Sequence, residues 1–118
     1  MRVLIADDSE ILRNLLVRIL ATVGIEDVEC AIDGQEAIDA VSRSDFDLIL
    51  IDWSMPKVLG IDAIKEIRSK GKTMPIIVIS SHYNKDLVEE ALASGATDYI
   101  AKPFHVEMLL QRIKELLR

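Results

Sequence analysis

The chain has 118 residues, half of them apolar, and a net charge of −6. That length encloses one core in one domain, and the apolar share excludes a disordered chain. The acidic balance excludes nucleic acid as the direct partner of this domain, because contact with a phosphate backbone needs a basic surface.

Cys30 is the sole cysteine. It excludes an internal disulfide, suits a reducing compartment, and is expected to be a small core residue. The apolar run after Met1-Arg2 stops at Asp7-Asp8, too soon for a signal peptide, and no segment reaches transmembrane length. The expectation is a cytoplasmic protein with no membrane partner.

In chain order, "RVLIA" (2–6) reads as a first strand. Ile11, Leu12, Leu15, Leu16, Ile19 and Leu20 then recur at helical spacing, with Ser9 as N-cap and Gly24 at the close. "DVECA" (27–31) is the second strand, and Asp33-Gly34 a turn before a helix carrying Ala37, Ile38 and Val41. "DLILI" (47–51) is the third strand, and its helix repeats Ile61, Ile64 and Ile67 up to Gly71. "PIIVIS" (75–80) is the fourth, followed by Leu87, Val88, Ala91 and Leu92 ending at Gly95. "DYIA" (98–101) is the fifth, with Pro103 ahead of a last helix over Val106, Leu109, Leu110, Ile113, Leu116 and Leu117.

Three of the five runs lack period-2 alternation, as strands buried on both faces of a parallel sheet do. The more polar "DVECA" and the short "DYIA" suit the edges. Five β–α units in one layered domain give an α/β fold, doubly wound, with helices on both faces of a five-stranded sheet.

In such a sheet ligands bind beyond the carboxyl ends of the strands. Strand one ends in Asp7-Asp8, strand three in Asp52, strand four in Ser80-Ser81 and strand five in Lys102-Pro103, while strand two ends in what reads as a turn. Acids at a helix start, a turn aspartate, a strand-end serine and a surface lysine each have ordinary explanations. Their meeting at one edge does not. Two carboxylates at ~4 Å repel by about 4 kcal/mol at an effective dielectric of ~20. One lysine cannot neutralise three, whereas a hard divalent cation such as Mg²⁺ can, with a carbonyl of the loop after Asp52 completing its oxygen ligands. A carboxylate beside Mg²⁺ and a lysine points to phosphoryl transfer, with aspartate as nucleophile. The Ser80 hydroxyl and backbone N–H groups would then share the charge on the phosphoryl oxygens. The buried run 48–51 becomes a rigid stalk with Asp52 as its reactive tip.

With "LIADDSE", "LIDWSMP" followed by Gly60, "PIIVISS" and "ASGATDYIAKPF", the whole chain resembles the receiver domain of two-component response regulators, and among them the stand-alone chemotaxis receivers. The resemblance implies a flavodoxin-like parallel sheet of order 2-1-3-4-5 and one receiver domain over residues 1–118. It implies that Asp52 is the phosphoacceptor. Asp8, Asp52 and the Ser54 backbone carbonyl would be direct Mg²⁺ ligands, with Asp7 acting mainly through a water. Lys102 would pair with the phosphoryl group, and its peptide bond to Pro103 would be cis, a form found in about 5–6% of such bonds. Ser80 would be the switch hydroxyl, and Tyr99 the aromatic that turns inward with it.

The implied partners are a sensor histidine kinase or histidine phosphotransfer protein as donor and a downstream protein target. That target would meet the face of the fourth helix, fifth strand and fifth helix, near Lys85, Glu89, Tyr99 and Gln111. The domain would be a self-modifying switch that promotes its own phosphorylation and dephosphorylation, a monomer or a phosphorylation-dependent weak dimer. Four positions depart from the pattern or tune it. Leu59 stands where Asp is common, Ser81 where Ala or Gly is usual, and Ser54 and His82 flank the path of a hydrolytic water. Three other readings stay open: the N-terminal receiver of a larger regulator with a DNA-binding or enzymatic output domain, an Asp-nucleophile phosphatase, and a flavin-binding protein. The phosphatase reading lacks a second Asp at position 54, and "DDSE" would repel a flavin phosphate.

Overall fold

Apolar runs become strands here because helices cover them on two sides. The computed structural model describes residues 1–117. Strands β1 (Arg2–Ala6), β2 (Asp27–Ala31), β3 (Leu48–Asp52), β4 (Ile76–Ser80) and β5 (Asp98–Ala101) alternate with five helices: α1 (Glu10–Ala21), α2 (Gly34–Arg43), α3 (Gly60–Ser69), α4 (Lys85–Ser94) and α5 (Val106–Leu116). All pairings are parallel, in the order β2-β1-β3-β4-β5. The two edges are the runs whose composition suited them.

Successive strand residues point to opposite faces, so one strand feeds two cores. Leu4, Ala6, Ile49, Ile51, Ile76 and Val78 pack against Ala37 and Val41 of α2, Ile64 and Ile67 of α3 and Ala91 of α4. Val3, Ile5, Leu48, Leu50, Ile77 and Ile79 pack against Leu16, Ile19 and Leu20 of α1 and Leu109 and Ile113 of α5. Both parities are apolar for that reason. Fully burying one such side chain contributes about 1.5–3 kcal/mol. Helices α1, α2 and α4 start on side-chain caps: Leu12 N–H donates to Ser9 Oγ (3.2 Å), Glu36 N–H to Asp33 Oδ1 (2.8 Å) and Leu87 N–H to Asn84 Oδ1 (2.9 Å).

Three details differ from the sequence expectations. β4 begins at Ile76, since Pro75 has no N–H to give a ladder; its carbonyl still accepts from Ile49 N–H (3.0 Å). β3 runs one residue further, so Asp52 is the last paired strand residue, opposite Ile79. Cys30 is exposed and is not a core residue. It lies on β2, an edge strand whose single neighbour is β1.

Candidate functional site

Parallel strands end in register, and register is what assembles the site. Ala6 pairs with Ile51, Asp52 with Ile79 and Ser80 with Ala101, so Asp7, Asp52, Ser80 and Lys102 all leave the sheet at one edge. Asp7 (2% exposed) and Asp52 (8%) are buried, and Ser80 is fully so, while Asp8 is exposed. Carboxylate oxygens of Asp7, Asp8 and Asp52 lie within 4.8 Å of one another. Lys102 Nζ is 3.0 Å from Asp7 Oδ2 and 3.6 Å from Asp52 Oδ1. Among the described residues it is the one cation within ion-pair distance of either. The Lys102-Pro103 bond is cis.

The cluster is short of positive charge. Burial, and next the facing Asp7 carboxylate, push Asp52 above the ordinary aspartate range. Lys102 and a hydrogen bond from the Ser54 N–H pull it partly back, and Asp8 adds a further upward push. Three converging carboxylates that offer only oxygen, with Asp8 open to solvent, fit a hard divalent cation. Asp7 is already engaged on both oxygens, by Ser9 N–H (2.9 Å) and by Lys102.

Beside the acids, Ser80 Oγ accepts from His82 N–H (3.1 Å), and the Tyr99 hydroxyl donates to the His82 carbonyl. Tyr99 is turned inward, with its ring between Trp53 (centroids 6.2 Å apart) and Tyr83 (5.7 Å). An aromatic column thus runs from the residue after Asp52 to the segment leading into α4. Ser54, Ser81 and His82 are exposed. Leu59 is the N-cap of α3 and gives it no side-chain hydrogen bond.

The model of the response regulator receiver domain matches residues 3–114. The chain belongs to that family. It is 39% identical to the two-component response regulator PhoP of Pseudomonas aeruginosa over 118 residues, which are 100% of this chain and 52% of PhoP. The receiver domain spans about half the length of the curated relatives it matches. The Francisella response regulator 1452 receiver domain superposes with a TM-score of 0.92 at 34% identity, over 98% of this chain and 95% of that one. The receiver domain of the sensor histidine kinase PA1611 from Pseudomonas aeruginosa superposes at 0.89 with 28% identity, over 98% and 96%, and has a magnesium ion coordinated in its active-site cleft.

Sequence reasoning missed two basic residues of this receiver domain. Arg13 Nη1 donates to the Asp7 carbonyl (2.8 Å), bracing the Asp7-Asp8 turn from one turn inside α1. Reading α1 for its apolar stripe passes over the polar residues, and Arg13 is one. Lys57 Nζ lies 3.5 Å from Asp33 Oδ2, on a backbone of φ 66°. No local pattern announces that pair, because it joins two loops distant in the chain.

Proposed function

We propose that the site is a Mg²⁺-dependent phosphoacceptor centred on Asp52, in a receiver spanning residues 1–118. The observation that carries this reading is the convergence of the Asp7, Asp8 and Asp52 carboxylates, of which Asp7 and Asp52 share one ammonium, that of Lys102. Asp8, Asp52 and the Ser54 backbone carbonyl would hold Mg²⁺. Asp7, with both oxygens engaged, would act through water. The bound cation supplies positive charge to the carboxylates and to a phosphoryl oxygen.

An Asp52 carboxylate oxygen attacks the phosphorus of a phosphohistidine on a sensor histidine kinase or histidine phosphotransfer protein. A P–O bond forms as the P–N bond breaks, and the imidazole leaves with the bonding pair and is protonated. Lys102 donates to one phosphoryl oxygen and the Ser80 hydroxyl to another. Ser54 and His82, both exposed, flank the approach of water and set the lifetime of the acyl phosphate. The product is a switched surface on α4, β5 and α5, around Lys85, Glu89, Tyr99 and Gln111, read by a protein target in the cytoplasm. The domain modifies itself and turns over no separate substrate. Among the described residues no helix is long and apolar enough to cross a membrane.

A second reading places the same site in the N-terminal half of a longer regulator with an output domain. PhoP, whose length the chain half spans, supports it.

The test is a small phosphoramidate donor with Mg²⁺. Intact mass should show one added phosphoryl group, removed by hydroxylamine as an acyl phosphate is. Asp52→Asn should take up none. Uptake that survives in that variant, or a hydroxylamine-stable adduct, sinks the reading.

A further inference from the structure

The carboxyl end of β2 is the one strand end without a part in the phosphoacceptor reading, yet it touches the loop that follows Asp52. A Cβ built on Gly34, the first residue of α2, would lie 2.1 Å from the Val58 carbonyl oxygen and 2.7 Å from Val58 Cβ. Only a hydrogen at that position lets the β3–α3 loop rest on α2. On its other side the loop is pinned in the same way. A Cβ on Gly60 would lie 2.0 Å from the Asp52 carbonyl oxygen, and Gly60 N–H donates to the Trp53 carbonyl (2.9 Å).

Between these two seats the chain makes a tight turn. Val58 N–H donates to the Pro56 carbonyl (2.8 Å) around Lys57, whose φ of 66° is the one positive φ outside glycine among the described residues. A turn of that hand is rare and strained in an L-residue, and such strain persists where surroundings hold it. The surroundings are Asp33 and Gly34. Lys57 Nζ stands 3.5 Å from Asp33 Oδ2, and Asp33 is itself buried and held by the Glu36 N–H it caps.

We propose that Gly34, with the Asp33–Lys57 pair, is the seat that fixes the β3–α3 loop over the acid cluster, and that these are positioning residues for the metal and for the reaction at Asp52. This rests on the phosphoacceptor reading above. The carboxyl end of β2, read from the sequence as a turn, then contributes to the site through Val58.

Two variants separate seating from ordinary stability and from simple charge. Gly34→Ala puts a methyl against the Val58 backbone, so a purely structural role predicts lower stability with metal affinity unchanged. Lys57→Gly suits the positive φ and removes a cation from the loop that follows Asp52, so charge alone predicts Mg²⁺ binding as tight or tighter. Seating predicts weaker Mg²⁺ binding in both. Mg²⁺ titrations followed by Trp53 fluorescence, well below the melting temperature, should show the dissociation constant raised about tenfold or more, as loss of a supporting shell does elsewhere. Saturating Mg²⁺ should restore phosphoryl uptake. In metal-free protein, amide exchange over residues 53–60 should quicken.

If wild type does not bind Mg²⁺, the phosphoacceptor reading fails and takes this one with it. If wild type binds and both variants bind equally well with unchanged exchange, the seat alone is refuted. Should Gly34→Ala not fold, Lys57→Gly decides by the same criteria.

Discussion

Lys102 Nζ stands closer to Asp7 (3.0 Å) than to Asp52 (3.6 Å). Without a cation, the ammonium is held mainly by the carboxylate that also ties Ser9, and less by the one at the tip of β3. Lys102→Ala strips two buried carboxylates of their counter-charge. Metal-free protein at neutral pH should lose about 1–3 kcal/mol, between the values for exposed and fully buried pairs. Mg²⁺ should then stabilise the variant more than it stabilises wild type, since nothing positive competes for the site. Urea titrations with and without Mg²⁺ measure both. A variant as stable as wild type without metal would show that Lys102 does not balance the cluster.

Asp52 gives a pH dependence of definite sign. Burial and Asp7 raise its pKa in the folded state, so the folded protein binds that proton more tightly than the unfolded chain. Metal-free stability therefore falls as pH rises from the ordinary carboxylate value of about 4 through the raised value of Asp52. Asp52→Asn removes this component. The variant should match wild type at the acid end and exceed it near neutrality by on the order of 1 kcal/mol, the size of one shifted carboxylate. Denaturant titrations of both proteins in chelator-treated buffer across that range provide the difference. A difference independent of pH would mean that Asp52 titrates as it does in the unfolded chain.

Leu59 leaves the first turn of α3 without a side-chain acceptor. It is itself about half exposed, so replacing it removes little burial. Leu59→Asp should supply the missing cap and favour the positive end of the helix, adding about 0.5–2 kcal/mol. Thermal melts of the two proteins settle the sign. Unchanged or lower stability would show that the N–H groups of α3 already find partners in water.

What the sequence made legible follows from what each signal encodes. The unbroken runs at 48–51 and 76–79 identify doubly covered strands, because both parities of side chain are buried. The acids were legible as strand-end residues, since the strands are parallel and finish together. Strand order was not, because periodicity says nothing about neighbours; the order 2-1-3-4-5 entered through family resemblance and the sheet bears it out. Cys30 was misread because an apolar side chain on an edge strand has one neighbouring strand where a central one has two. Arg13 and Lys57 act across turns of helix and between loops, where spacing along the chain carries no information about contact.

The last prediction concerns transmission from Asp52 to the α4–β5–α5 face. Helix α4 is anchored by one buried residue, Ala91, whereas α3 buries Gly60, Ile61, Ala63, Ile64 and Ile67. Segments with few buried contacts open at low free energy, so α4 should exchange its amides fastest among the helices. The aromatic column of Trp53, Tyr99 and Tyr83 joins this helix to the acceptor loop, with the Tyr99 hydroxyl on the His82 carbonyl and His82 N–H on Ser80. On the proposed function, a phosphoryl mimic such as beryllofluoride on Asp52 should draw on the Ser80 hydroxyl and so shift the populations of that column. Protection should rise in residues 80–105. The groove of about 400 Å³ lined by Tyr83, Tyr99, Phe104, Met108 and Arg112 should change with it. Tyr99→Phe keeps the ring and removes the hydroxyl, so it should cost only about 0.5–1.5 kcal/mol in stability. It should nevertheless blunt the protection change beyond residue 83 while leaving the change at 52–60 intact. Amide exchange mass spectrometry of both proteins, with and without the mimic, reads this directly. Equal responses in wild type and Tyr99→Phe would show that the signal leaves Asp52 by another route, and a response confined to the loops at Asp52 would show that it does not reach α4 at all.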